Sequence, residues 1–124
     1  MTPAELGRST EARFILDALE RGLLVSRPFA DAPGYDVVVD SGKRITRVQV
    51  KGARPGRCGR YYVNLNRHGR RRRGYDVVAI WLVRDARWIF IPARAVRNGV
   101  NMLGVTTNGK HSHRSWDIFR RSTR

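Results

Sequence analysis

Between Pro3 and Gly22 the apolar positions return at helical spacing. At about 100° per residue, Gly7, Glu11, Phe14, Ile15, Ala18 and Gly22 fall on one side, and Ser9, Arg13, Asp17 and Glu20 on the other. Thr2-Pro3-Ala4-Glu5 has the form of a capping box, with Thr2 as N-cap, Pro3 at the first helical position and Glu5 reaching back to the cap. Gly22 supplies the stop. The period then shortens to that of strands. Leu23-Leu24-Val25 reads as a short strand, Tyr35-Asp36-Val37-Val38-Val39 as a β-branched strand, Ser41-Gly42 as a turn and Ile45 to Lys51 as the returning strand of a hairpin. Period-2 alternation puts Gln49 and Lys51 on one face of that strand and Thr46, Val48 and Val50 on the other. Tyr61 to Leu65 is a further strand. Tyr75 to Val83 is apolar without alternation, which predicts a strand buried on both faces, central in a mixed sheet with helices outside it. Arg84-Asp85-Ala86 turns into the strand Arg87 to Ile91, ended by Pro92; Ala93 to Arg97 reads as a helical turn, and Trp116-Asp117-Ile118-Phe119 as an apolar anchor. The expected class is α/β, an N-terminal helix followed by a mixed central sheet flanked by helices. No internal repeat, Walker-type loop or Ser/His/Asp set is visible.

The 124 residues suit one domain, 1–124, with basic loops at 52–60 and 66–74 and a basic C-terminal segment at 109–124. The longest apolar run is the seven residues Val77 to Val83, far short of the ~20 a membrane-spanning helix needs. Glu5 and Glu11 near the start argue against a secretory signal, and the single Cys58 allows neither an intramolecular disulfide nor a multi-cysteine zinc site. A reducing, cytoplasm-like compartment is expected. Charge changes the picture most. The chain carries +15, yet residues 1–42 hold seven acids against four bases while residues 43–124 hold three against twenty-one. Of the 25 bases all but Lys43, Lys51 and Lys110 are arginine, whose planar fork suits phosphate better than an ammonium does. Nucleic acid is therefore the expected partner.

Four polar groups interrupt otherwise apolar elements. Glu11 sits within the apolar side of the helix, where a carboxylate must snorkel out, pair with a base or line a pocket. Asp36 opens the strand facing Gln49 and Lys51, so the hairpin can gather an acid, an amide and a lysine at the end away from its turn. Asp31 and Asp40 are reserve acids in loop and turn sequence. Arg54, Arg57 and Arg60 follow the lysine strand in a Pro/Gly-rich loop; Arg67 and Arg70, Arg71, Arg72 and Arg73 form the densest basic cluster; Lys110 and Arg114 lie in the basic C-terminal segment. All are expected to contact a phosphate backbone. His111 and His113 lack a third ligand for zinc and read as phosphate or solvent contacts.

Gly7, Glu11, the step through Gly22, Tyr35-Asp36-Val37-Val38-Val39 and Val48-Gln49-Val50-Lys51-Gly52 together resemble the PD-(D/E)xK nuclease superfamily, with its acid on the first helix, acid on the second strand and (D/E)-x-K on the third. Tyr75-Asp76-Val77-Val78 and Trp88-Ile89-Phe90-Ile91-Pro92 are similar to the group I intron homing endonuclease branch, and size and helix-first order also resemble archaeal-type Holliday junction resolvases. Tyr35 stands where the motif has Pro, and Gln49 where it has Asp or Glu, as in the intron-endonuclease branch. The resemblance implies a restriction-endonuclease-like fold and a DNA endonuclease, resolvase-like or homing-type, using Mg²⁺, with Mn²⁺ as a substitute. It implies Asp36, Gln49 and Glu11 as metal ligands and Lys51 as the residue that orients and deprotonates the attacking water. A domain of this size spans about one turn of duplex, so cutting two strands calls for a dimer or tetramer. The alternatives are a nucleic-acid-binding module whose site has decayed at Gln49 and, behind it, a basic ribosome-associated protein.

Overall fold

The computed structural model describes residues 1–30, 34–65, 74–96 and 102–121. In chain order they form α1 (Pro3–Glu20), β1 (Leu24–Ser26), β2 (Val37–Asp40), β3 (Ile45–Ala53), β4 (Tyr61–Asn64), β5 (Val77–Leu82), β6 (Arg87–Pro92) and β7 (Met102–Val105). Short 3-10 turns occupy Arg57–Gly59, Ala93–Ala95 and Trp116–Phe119.

The ends of α1 follow from its sequence. The Thr2 hydroxyl accepts from the Glu5 N–H at 3.1 Å, and the Glu5 carboxylate accepts from the Thr2 N–H at 3.0 Å. At the other end Gly22 adopts φ +77°, which lets its N–H reach the Leu19 carbonyl and the Leu23 N–H reach the Ala18 carbonyl, closing a Schellman motif. The buried line of the helix is Thr10, Phe14 and Ala18, turned from the expected face. Gly7 is exposed and Glu11 lies at the margin. The cause is a close approach. A Cβ on Gly52 of β3 would stand 2.7 Å from the Thr10 hydroxyl and 3.0 Å from Leu6, so the glycine after Lys51 lets α1 settle directly on the sheet.

The main sheet runs β1-β2-β3-β5-β6, with β3 in the centre, parallel to β5, and the other pairs antiparallel. A parallel join needs a crossover. Here the chain leaves the sheet through β4, which pairs with β7 in a separate antiparallel ribbon. The Tyr61 strand is thus outside the main sheet, and β7 was not expected because Met102–Val105 is too short and glycine-interrupted to stand out. One face of the sheet packs Phe14 and Ala18 of α1, Val48, Val50, Trp88, Phe90, Ile118 and Phe119. The other face packs Val78, Ile80, Ile89 and Ile91 against Tyr61, Val63 and Val105 of the ribbon. Where helices were expected outside both faces, the second is covered by β4 and β7. The apolar run Val77–Leu82 is buried on both sides as its lack of alternation requires.

Contrary to the expectation of no internal repeat, the chain contains a short repetition. Gly-Tyr-Asp-Val-Val occurs at 34–38 and again at 74–78. The two copies lie on either side of β3, and their glycines touch: a Cβ on Gly34, at φ +87°, would meet the Gly74 nitrogen at 2.6 Å.

Candidate active site

Strand β2 pairs with β3 from Val37 opposite Val48 to Asp40 opposite Ile45. Just before it, the Asp36 N–H still donates to the Val48 carbonyl at 2.9 Å. Beyond that point the N–H of Val50 has lost its strand neighbour, and the Asp36 carboxylate takes it: Oδ2 accepts from Val50 N–H at 2.8 Å and from the Gln49 amide Nε2 at 3.1 Å. A buried amide N–H left unpaired is costly, so the run-out of β2 fixes where this carboxylate sits. Gln49 is itself only 8% exposed. Its NH₂ group faces Asp36, which leaves its carbonyl oxygen as the atom able to face a cation. Lys51 follows two residues on, on the same half-buried side of the strand. Val48 and Val50, between and before them, belong to the α1 side. The hairpin therefore brings Asp36 and Gln49 into contact, with Lys51 next along the central strand.

Glu11 is carried by α1, which packs on the Val48 and Val50 side of the sheet. Its neighbour Thr10 lies against Gly52, the residue after Lys51. The Glu11 carboxylate accepts from the Arg27 guanidinium at 3.0 Å, with the Glu11 side chain 27% and Arg27 64% exposed. Arg27, just past β1, was not singled out from sequence; nothing in a lone Arg-Pro step marks it. Among the described residues no three His, Cys, Asp or Glu side chains converge. The contact that joins expected oxygen donors is between the Asp36 carboxylate and the Gln49 amide.

The second Gly-Tyr-Asp copy places Asp76 symmetrically on the β5 side. Oδ2 of Asp76 accepts from the Arg47 N–H at 2.8 Å, and Oδ1 from the Arg47 guanidinium at 3.0 Å. Burial pushes the Asp76 carboxyl up, but the hydrogen bonds and charge of Arg47, with help from Arg44, outweigh it and hold it below the ordinary aspartate value. Arg47 is raised in return, chiefly by its hydrogen bond to Asp76. Asp40, one of the reserve acids, is absorbed by the hairpin turn, where Oδ1 accepts from the Gly42 N–H at 2.8 Å. Asp31 lies outside the described residues.

The expected phosphate contacts divide. Arg54, Arg57 and Arg60 are exposed in the loop directly after β3, with the Arg54 guanidinium donating to the Met1 carbonyl. Arg67 and Arg70 to Arg73 lie outside the described residues. Lys110 is exposed, and Arg114 is exposed on the α1 side of the sheet, away from Gln49 and Lys51. His113 forms a two-bond bridge with Phe90. Burial lowers its ring below the ordinary histidine value, and Arg121, Arg94 and His111 lower it further.

Comparison with known proteins places this geometry. Residues 1–104 match the family model described as PD-(D/E)XK endonuclease. A search of curated proteins found no significant match. Among solved structures, the bacterial homing endonuclease I-Ssp6803I superposes with a TM-score of 0.70 at 20% identity, covering 95% of this chain and 87% of that one. The Holliday junction resolvase Hjc of Archaeoglobus fulgidus superposes with a TM-score of 0.63 at 17% identity, covering 95% and 98%. At these identities the likeness is one of fold.

Proposed function

The chain belongs to the PD-(D/E)XK endonuclease family, and we propose that it is a divalent-metal-dependent DNA endonuclease acting through Glu11, Asp36, Gln49 and Lys51. The observation that carries this reading is the Asp36 carboxylate, fixed by the Val50 N–H and the Gln49 amide at the centre of the sheet, next along from Lys51. The Gln49 amide and the Val50 N–H are both neutral, so neither of them spends its negative charge.

The donor set fits a small hard cation: Asp36 and Glu11 carboxylates with the Gln49 carbonyl are all oxygen ligands of the kind Mg²⁺ or Mn²⁺ takes. When bound, such an ion relieves the charge that builds on the phosphorus and the leaving oxygen. The protein supplies the rest. Asp36 is held in place by backbone, so no rearrangement is required of it. Gln49 contributes a donor without adding charge, which makes cation affinity depend on the substrate phosphate as a further anionic ligand. Glu11 enters the site by exchanging its exposed contact with Arg27, worth at most ~1 kcal/mol. Lys51 orients the attacking water, helps to remove its proton and stabilises the phosphorane as the bond to the leaving oxygen breaks. Arg54, Arg57, Arg60 and Lys110, with Arg67 and Arg70 to Arg73, hold the backbone, and we read the whole chain as one nuclease unit that pairs with a second copy to cut two strands.

The test is cleavage of a labelled four-way junction and of supercoiled plasmid, with Mg²⁺ or EDTA, by the protein and by Lys51→Ala. Metal-dependent cutting that Lys51→Ala loses by at least ~10²-fold, with DNA binding retained, supports the nuclease, and preference between the substrates selects resolvase-like or duplex-cutting action. Binding with no cleavage under either Mg²⁺ or Mn²⁺ overturns it in favour of a non-catalytic DNA-binding module.

A further inference from the structure

On the face of the sheet opposite Gln49 and Lys51, a hollow of about 530 Å³ opens between α1 and the β5–β6 turn, lined in part by Arg13, Arg21, Arg87, Arg114 and the indoles of Trp81 and Trp116. Four arginines and two aspartates, Asp17 and Asp85, line it, so its charge is net positive. Asp17 is already engaged, accepting from the Trp88 indole N–H at 2.8 Å. Two of the arginines are laid over aromatic rings: the Arg13 guanidinium carbon stands 4.4 Å from the Trp81 ring centre, and that of Arg21 4.6 Å from Trp116. The other two, Arg87 and Arg114, are exposed and make no ion pair among the described residues. None of these groups takes part in the chemistry proposed above.

We propose that this hollow is a second nucleic-acid site, one that takes an unpaired nucleotide. A guanidinium backed by an indole has one planar face still open, and a base stacks on such a plane as it does on an aromatic ring. Arg13 and Arg21 each present one. Arg87 and Arg114 then supply forks for the adjoining phosphates. A base inside a duplex keeps its faces stacked on its neighbours and cannot use either platform, so the site selects single-stranded or unpaired segments over regular duplex. Because the sheet separates it from Asp36, Gln49 and Lys51, it holds a different stretch of nucleic acid from the one being cut. The proposal rests on the reading of the protein as DNA-binding, but not on its being catalytic.

The tryptophans make the test direct, since all three of the chain, Trp81, Trp88 and Trp116, line this hollow. The full chain is titrated with a single-stranded oligonucleotide and with duplex of equal length, following intrinsic tryptophan emission and, in parallel, anisotropy of labelled DNA. The expected result is that single-stranded DNA changes the emission and duplex does so weakly. In the double variant Arg87→Ala/Arg114→Ala, single-strand binding read by emission should weaken about tenfold, and its salt slope should fall by about 1.4, the loss of two phosphate contacts. Arg8→Ala/Lys43→Ala, which removes the same charge from exposed positions outside both sites, should leave the emission change intact. Anisotropy showing DNA bound while emission stays constant overturns the site, as does an emission change that Arg87→Ala/Arg114→Ala leaves unaltered. Absence of cleavage with the emission change present removes the nuclease reading alone.

Discussion

The same five residues, Gly-Tyr-Asp-Val-Val, approach the central strand from its two sides and end in different chemistry. Both aspartates do one identical thing: each carboxylate accepts a β3 N–H at the position where the neighbouring strand has run out, Asp36 from Val50 and Asp76 from Arg47, each at 2.8 Å. The difference lies in the side chain each meets. β2 runs antiparallel to β3 and delivers Asp36 to the amide of Gln49, whereas β5 runs parallel and delivers Asp76 to the guanidinium of Arg47. A neutral partner leaves the Asp36 charge available to a cation. A cationic partner spends the charge of Asp76 inside the protein. On the proposed function, strand direction separates the carboxylate offered to a metal ion from the carboxylate paired for structure.

Exchanging each acid for its amide breaks this comparison most sharply. Asp36→Asn should lose cleavage by ~10³-fold or more while the protein still melts cooperatively, because the metal-facing charge is gone but the backbone hydrogen bond has an acceptor. Asp76→Asn should keep cleavage within a few-fold and lower stability by about 1–2 kcal/mol, as expected for a charged hydrogen-bonding partner removed from a half-buried site. Plasmid cleavage and thermal melting of the two proteins check both halves, and the reverse pattern would sink the assignment.

A smaller effect follows from placing a second charge beside Asp36. Gln49→Glu should lower the Mg²⁺ concentration for half-maximal cleavage several-fold and, without metal, destabilise the protein through two adjoining carboxylates. Melting with and without Mg²⁺ measures it: a larger metal-induced gain in Tm than in the natural protein is expected, and an equal gain would show that Gln49 does not face the ion.

The smallest effect is in pH. Because the Asp76 carboxyl is held below its ordinary value in the fold, the native state binds fewer protons there than the unfolded chain does. The stability it contributes is fully present above the unfolded value of about 3.9. It is lost as pH falls through the lower, folded value. The Tm difference between the natural protein and Asp76→Asn should therefore be constant from pH 7 to about pH 5 and shrink below that. A difference that persists unchanged to pH 2 would mean that the Arg47 contact is not what holds this acid.

Much of this was written in the chain. The capping box, the glycine stop, the hairpin and the doubly buried strand follow from local preferences, because each depends on residues within a few positions of one another. Charge pointed to nucleic acid for the same reason: it is a sum, and needs no fold. The spacing of Asp36, Gln49 and Lys51 was legible because a hairpin's register is set by its turn. What lay beyond reach were contacts between distant segments. Gly7 was expected on the buried side and Asp17 on the other, yet Gly7 is exposed and Asp17 holds the Trp88 indole, since the tilt of α1 depends on the room Gly52 leaves above the sheet, and Arg27 met Glu11 only once β1 had folded back. The composition of the second layer, a β ribbon rather than a helix, required β4 to find β7, a partner more than 30 residues later with little pattern of its own. The sequence determined the elements up to β6 and the supply of carboxylate, amide, lysine and arginine. Tertiary structure decided which of two identical aspartates meets a guanidinium and which an amide, because that turns on strand direction, and direction is a property of the assembled sheet.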